Sequence, residues 1–269
     1  MTATAWIAGI AYLIAAVGFV VGLHLMRTPS SARRGNLISA GGMALAIVVT
    51  VVVVAIGGTG TWIGWGCLIV GLAAGSVFGA VRARTVKMTD IPQLVSLFNA
   101  VGGGAAAVVA IADLLRRAGS GLGPDATVPI VLDVLIGSIT LSGSLIAAGK
   151  LQGMIPGRPL MFPGSRVVNV LVVVVALGAA VGTVILPGAV AFVVVLMLAA
   201  LAFGVLMVLP IGGADAPVVV SLLNAFTGLA VAMAGFVIGN QAMIIAGALV
   251  GAAGTILTLQ MAAAMNRSV

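Results

Sequence analysis

Long apolar runs separated by short polar breaks make up almost the whole chain. A helix needs about 20 apolar residues to cross roughly 30 Å of hydrocarbon. On that rule the runs predict nine spans: Ala5–Met26, Leu37–Ile56, Trp62–Val81, Ile91–Ala112, Val128–Ala148, Val167–Leu186, Ala189–Leu209, Ala216–Gly239 and Gln241–Met265. Pro187-Gly188 marks a turn between the sixth and seventh, which could otherwise be one broken element. The fold class expected is therefore an all-α integral membrane bundle of about nine helices.

Within these runs one polar pattern occurs twice. MTDIPQLVSLFNAVGG begins at Met88, and DAPVVVSLLNAFTG begins at Asp215. An offset of 125 residues lays Asp90 on Asp215, Pro92 on Pro217, Ser96 on Ser221, Asn99 on Asn224 and Gly103 on Gly228. Ser96, Asn99 and Gly103 stand at i, i+3 and i+7, one stripe of a helix. Each Asn lies seven residues past its proline, roughly 10 Å deeper at 1.5 Å per residue. A buried amide in hydrocarbon is costly unless something pairs with it. One such amide reads as interhelical glue. Two at matched depth, each with a Ser and a Gly on its stripe, read as a polar path formed by Asn99, Asn224, Ser96 and Ser221.

Composition removes the soluble alternatives. The chain is 62% hydrophobic and 6% charged, with a mean hydropathy of +1.34, whereas soluble domains carry about 25% charged residues. The net charge of +7 is scattered in short loops without a basic helix, so nucleic acid is not an expected partner and the lipid bilayer is. One Cys, one His and five Asp exclude a disulfide within the chain and leave no expected metal centre. Ten of the twelve Lys and Arg fall in loops on one side, and Trp6, Trp62 and Trp65 on the other. The N-terminus is thus expected outside and the C-terminus in the cytoplasm. MTATAW lacks the basic leader of a secretory signal, so the first run counts as a span.

That orientation makes the fourth and eighth spans run the same way, so the repeat is parallel. Gly119, Gly121 and Gly123 precede Pro124 rather than linking a strand to a helix, and do not form a nucleotide fingerprint. His24 reads as a solvated end residue. Asp133 reads equally as part of an outer vestibule or as a headgroup-level residue. Asp90 and Asp215, each just before a Pro-started helix, suit N-caps. Gly247, Gly251 and Gly254 form a small-residue face that favours close helix packing.

MTDIPQLVSLFNAVGGGAAA closely resembles the beta subunit of proton-translocating nicotinamide nucleotide transhydrogenase. So do Gly143-Ser144, Gly149-Lys150-Leu151, IGGADAPVVVSLLNAFTG, GALVGAAG and Ala264-Met265-Asn266-Arg267-Ser268, in order over nearly the whole chain. The resemblance implies that residues 1–269 are a transmembrane proton-channel domain of an oxidoreductase in a bacterial plasma membrane. Its proton movement would be coupled to hydride transfer between NAD(H) and NADP(H) on soluble domains. It also implies an NADP(H)-binding domain after the Met-Asn-Arg-Ser element, no cofactor in this segment, and a dimer of alpha–beta units. Asn224 matches a channel-lining asparagine. Asp215, Arg267 and the glycines Gly247, Gly251 and Gly254 match residues linked to the nucleotide domain. Many family members have a histidine where Asn99 stands. The family's three-chain forms carry that histidine on an alpha-subunit membrane helix, so a histidine-bearing partner is expected. The competing readings are a self-contained secondary transporter with its site at Asn99 and Asn224, which usually has inverted repeats, and a plain membrane anchor.

Overall fold

The computed structural model describes residues 3–58, 60–117 and 122–266. Among them are nine long α-helices and no strand: α1 Ala3–Leu25, α2 Pro29–Ile56, α3 Trp62–Thr85, α4 Ile91–Arg117, α5 Pro124–Leu151, α6 Ser165–Ile185, α7 Val190–Val208, α8 Ala216–Ile238 and α9 Gln241–Ala264. All nine are long and apolar enough to cross a membrane. Their centres agree with the apolar runs. The main differences lie at the ends of α2, α4 and α5, which run on through polar residues such as Arg33, Arg34, Arg116 and Arg117. Helical hydrogen bonding continues past the hydrocarbon because Arg and Lys are good helix formers and water solvates their heads. Pro187-Gly188 does separate two helices, since α6 stops at Ile185 and α7 starts at Val190.

The chain divides into two compact units, one ending at Ile91 and one starting at Pro92. In the first, α1 and α2 pack through glycines: a Cβ on Gly42 would lie 2.9 Å from the Ala15 carbonyl oxygen. Tyr12 and Thr50 share a 2.8 Å hydroxyl bond between the same helices. α3 is capped by Thr61, which accepts from the Gly64 amide at 3.1 Å, and has no buried residue.

In the second unit α5 is the central helix. It packs against α6, α7 and α8, and its Gly137 and Thr140 meet Gly103 of α4. The core is built of small and branched residues: Ala110, Leu114, Ile130, Val134, Val193 and Leu196 form the largest cluster. α8 ends where Gly239 turns left-handed at φ 70°, with the Asn240 amide bonding back to the Gly235 carbonyl at 2.8 Å. Asn240 then caps α9 by accepting from the Met243 amide at 3.2 Å. This two-residue connection folds α9 back along α8. Their backbones touch: a Cβ on Gly228 would lie 2.9 Å from the Gly251 Cα, and one on Gly254 3.0 Å from the Ala225 Cα.

Candidate functional site: the paired amides of α4 and α8

Both copies of the repeated pattern lie in the second unit, on neighbouring helices. The Asn99 side chain, 4% exposed, donates from Nδ2 to the Val220 carbonyl at 3.2 Å. The Thr227 hydroxyl donates to the Asn99 carbonyl at 3.3 Å, as well as to Leu223 of its own helix at 2.9 Å. Asn224 lies between Val220 and Thr227, one turn from each, so the two amides stand at one level. Farther along, Arg117 of α4 donates to the Val237 carbonyl of α8 at 3.2 Å. The pairs 99 with 220, 99 with 227 and 117 with 237 all rise together, so α4 and α8 run parallel and nearly in register.

Repeat-equivalent positions also meet directly. Position 102 corresponds to 227 under the 125-residue offset, and a Cβ on Gly102 would lie 2.8 Å from the Thr227 Cγ2. Two parallel copies rotated about an axis along the helices meet in this way.

The other polar groups of the repeat make separate contacts. Ser221 is buried and donates to the Gly254 carbonyl of α9 at 3.3 Å, and Thr258 donates to Ser221 Oγ at 3.1 Å. Ser96 is fully buried, and its hydroxyl has no hydrogen-bond partner among the described residues. Asn224 is half-buried. Gly103, on the stripe of Ser96 and Asn99, faces α5 instead of α8: a Cβ there would lie 2.7 Å from the Thr140 Cβ. Asn99 therefore sits where α4, α5 and α8 come together.

The end of the unit that carries Asp215 is tied by backbone acceptors. Lys150 Nζ, in the last turn of α5, donates to the Leu209 carbonyl and, at 2.8 Å, to the Ile211 carbonyl. Leu160 donates its amide to Leu209 at 3.0 Å, and Gly213 its amide to Gly157 at 2.9 Å. Gln93 at the start of α4 reaches the Leu151 carbonyl at 3.2 Å. Lys150 thus satisfies carbonyls left open where α7 ends, immediately before the Asp215 segment.

Several expectations change. Asp215 occupies the N-cap position of α8, but its side chain makes no capping bond, because a short 3-10 turn over Gly213–Asp215 leads into the helix. Asp90 likewise ends a 3-10 turn, Met88–Asp90, and accepts from Thr89 Oγ1 at 3.1 Å. Asp133 is fully buried inside the second unit. His24 is exposed in the last turn of α1. Gly247, Gly251 and Gly254 serve as the close-packing face of α9 against α8. Arg267, Gly119 and Gly121 lie outside the described residues. Thr227, Thr140 and Lys150 were missed as partners. Thr227 matches glycine in the other copy, so the repeat gave it no emphasis.

This arrangement defines the class: a multi-pass helical membrane protein whose polar centre lies between two parallel copies of one motif. A family model described as NAD(P) transhydrogenase beta subunit matches residues 8–269, and the chain belongs to that family. The NAD(P) transhydrogenase subunit beta of Rhodospirillum rubrum is 40% identical over 265 residues, covering 96% of this chain and 56% of the relative. The subunit beta of a named strain of the same species matches to the same extent. The chain spans about half the length of the curated relatives it matches.

Proposed function

We propose that this chain is the membrane part of a proton-translocating transhydrogenase, passing protons past Asn99, Asn224, Ser96 and Ser221 while soluble domains transfer hydride between NAD(H) and NADP(H). The observation that carries the reading is the buried Asn99 bonded across to α8 at the level of Asn224. An amide orients water and passes a hydrogen bond, but it does not change charge near neutral pH. The path therefore needs a titrating group beside it. An imidazole suits that task, and the reading takes one from a membrane helix of an alpha subunit docked near Asn99.

NADP(H) would be held by a domain following this segment in the full beta subunit, and NAD(H) by the alpha partner. The working assembly would be a dimer of alpha–beta units in a bacterial plasma membrane, with the Asp215 end in the cytoplasm. Asp215, Arg267 and the α9 face of Gly247, Gly251 and Gly254 would carry the state of the nucleotide domain to the path. The Lys150 tie to Leu209 and Ile211 supports that route, because it joins α5 to the segment before Asp215.

The test is the assembled enzyme in proteoliposomes with a pH-sensitive dye in the lumen. Nucleotide turnover should move protons, and removing the partner's histidine should stop that movement. Flux of a small solute independent of nucleotides, with no proton movement during turnover, would instead establish the secondary-transporter reading.

A further inference from the structure

We propose that Asp133 is a proton-holding station inside this chain, served along the α4–α5 interface by Ser96, Thr140 and Ser144. This rests on the proton-conducting reading above and adds to it an ionisable group that the chain itself supplies.

Three observations converge. Asp133 is 0% exposed, and neither of its carboxylate oxygens has a hydrogen-bond partner among the described residues. On α5 it shares a stripe with Gly137, Thr140 and Ser144, at i, i+4, i+7 and i+11. The middle of that stripe faces α4: a Cβ on Gly137 would lie 3.0 Å from the Ala107 Cβ, and Gly103 meets Thr140. Finally, two more buried hydroxyls on these helices, Ser96 Oγ and Ser144 Oγ, also lack partners. Counting outward from the Gly103–Thr140 contact, Ser96 on α4 and Ser144 on α5 lie on the same side of it. Asp133 lies on the other.

A structural role does not account for such an acid. Buried carboxylates that stabilise a fold are paired or accept several hydrogen bonds, and membrane carboxyls normally face a partner or a water path. α4 offers Ala106, Ala107 and Ala110 near this level, none with a side-chain donor. Its charged groups are Asp113, Arg116 and Arg117 in the last turns, where Asp113 is ion-paired to both arginines. On α5 the other charges are Asp125 in the first turn and Lys150 in the last. α6 carries only Arg166 in its first turn, and α7, α8 and α9 carry no charged residue.

Between Asp133 and Thr140 the two helices touch. A Cβ on Gly137 would lie 2.5 Å from the Gly103 carbonyl oxygen. No water fits there, so Asp133 exchanges its proton with the hydroxyl side only when α4 and α5 part at this glycine contact. The carboxylate then takes its proton from a hydrated proton on one side, leaving neutral water there, and releases it to a water on the other side. The carboxylate is thereby restored and one proton has passed the contact.

The test uses the assembled enzyme in proteoliposomes, comparing Asp133→Asn and Asp133→Glu with the unaltered protein. Proton movement, nucleotide turnover and their pH profiles are read together with the infrared carboxyl C=O band. Asp133→Asn should slow proton movement on the order of a hundredfold, as loss of a positioned proton-transfer group does. Asp133→Glu should restore most of it with a displaced pH profile and a displaced carboxyl band. Unchanged pumping and pH profile in Asp133→Asn would overturn the proposal while leaving the parent reading intact. If the Asn variant fails to assemble, the Glu variant decides: a shifted profile and band support the proposal, and no shift in either overturns it. An unaltered enzyme that turns over nucleotides without moving protons overturns the parent reading, and this one with it.

Discussion

Gly102 of α4 and Thr227 of α8 are equivalent positions in the internal repeat, and they touch: a Cβ on Gly102 would lie 2.8 Å from the Thr227 Cγ2. The contact brings α4 and α8 close enough for Thr227 to reach the Asn99 carbonyl and for Asn99 to reach Val220. A methyl group at 102 should therefore overpack the seam. Gly102→Ala is expected to destabilise by about 1–3 kcal/mol, the usual range for insertion into a packed core. Thermal unfolding in detergent checks this, and Thr227→Ser, which removes the obstructing methyl, should recover part of the loss.

Asn99→Ala removes the Asn99–Val220 bond and keeps the two other side-chain bonds between α4 and α8, Thr227 to the Asn99 carbonyl and Arg117 to Val237. Buried bonds of this kind in membrane proteins are worth about 0.6 kcal/mol on average and up to about 1.7, so the fold should survive while proton movement falls sharply. Asn99→His should partly restore pumping in an enzyme whose alpha-subunit histidine has been removed. His24→Ala should leave pumping nearly unchanged, since His24 is exposed at the end of α1. If His24→Ala abolishes pumping and the partner's histidine is dispensable, the relay runs through α1 instead.

Lys150→Met takes away the donor shared by the Leu209 and Ile211 carbonyls. Leu209 keeps the Leu160 amide, so the carbonyl left without its donor is that of Ile211. Losing a partner for a part-buried acceptor costs up to about 1–3 kcal/mol, and here that cost falls on the segment leading to Asp215. The expected outcome is earlier proteolysis of the 209–215 segment and slower proton-coupled hydride transfer. Normal cleavage and normal coupling would remove Lys150 from the coupling route.

Gly228→Leu should be the most damaging of these changes. The added side chain would run into the α9 backbone at Gly247 and Gly251, where no rotamer can yield. Size-exclusion chromatography of the solubilised protein should show aggregation or loss of the α8–α9 pairing. Gly58→Ala is not an equivalent control, because Gly58 has φ +63° although nothing lies near it. Gly178→Ala is, since its Cβ position is open and its helix is regular.

Much of this was legible in the sequence because crossing a membrane leaves a coarse signature. Nine apolar runs became nine helices among the described residues, and the two Asn-bearing segments became neighbouring helices with Asn99 bonded across to Val220. What hydropathy does not carry is which face of a helix meets which neighbour. Gly103 shares its stripe with Asn99 yet packs on Thr140 of α5, because Asn99 sits at a three-helix junction. The burial of Asp133 depends on α5 being central, and no periodicity in its own segment announces that. The capping role of Asp215 failed because an extra 3-10 turn moves its carboxyl off the first helical amides.

The in-register pairing of α4 and α8 has an electrical consequence. Asn99 and Asn224 stand at one depth, so a charge passed from the side of one to the side of the other travels in the plane of the membrane. Such a step crosses almost none of the transmembrane potential, which is worth about 2.3 kcal/mol per charge per 100 mV over the full thickness. On the proposed proton path, voltage would therefore act on the approaches to the pair, along α4 and α5 on either side of the Gly103–Gly137 contact, and a hand-over between the copies would be indifferent to it.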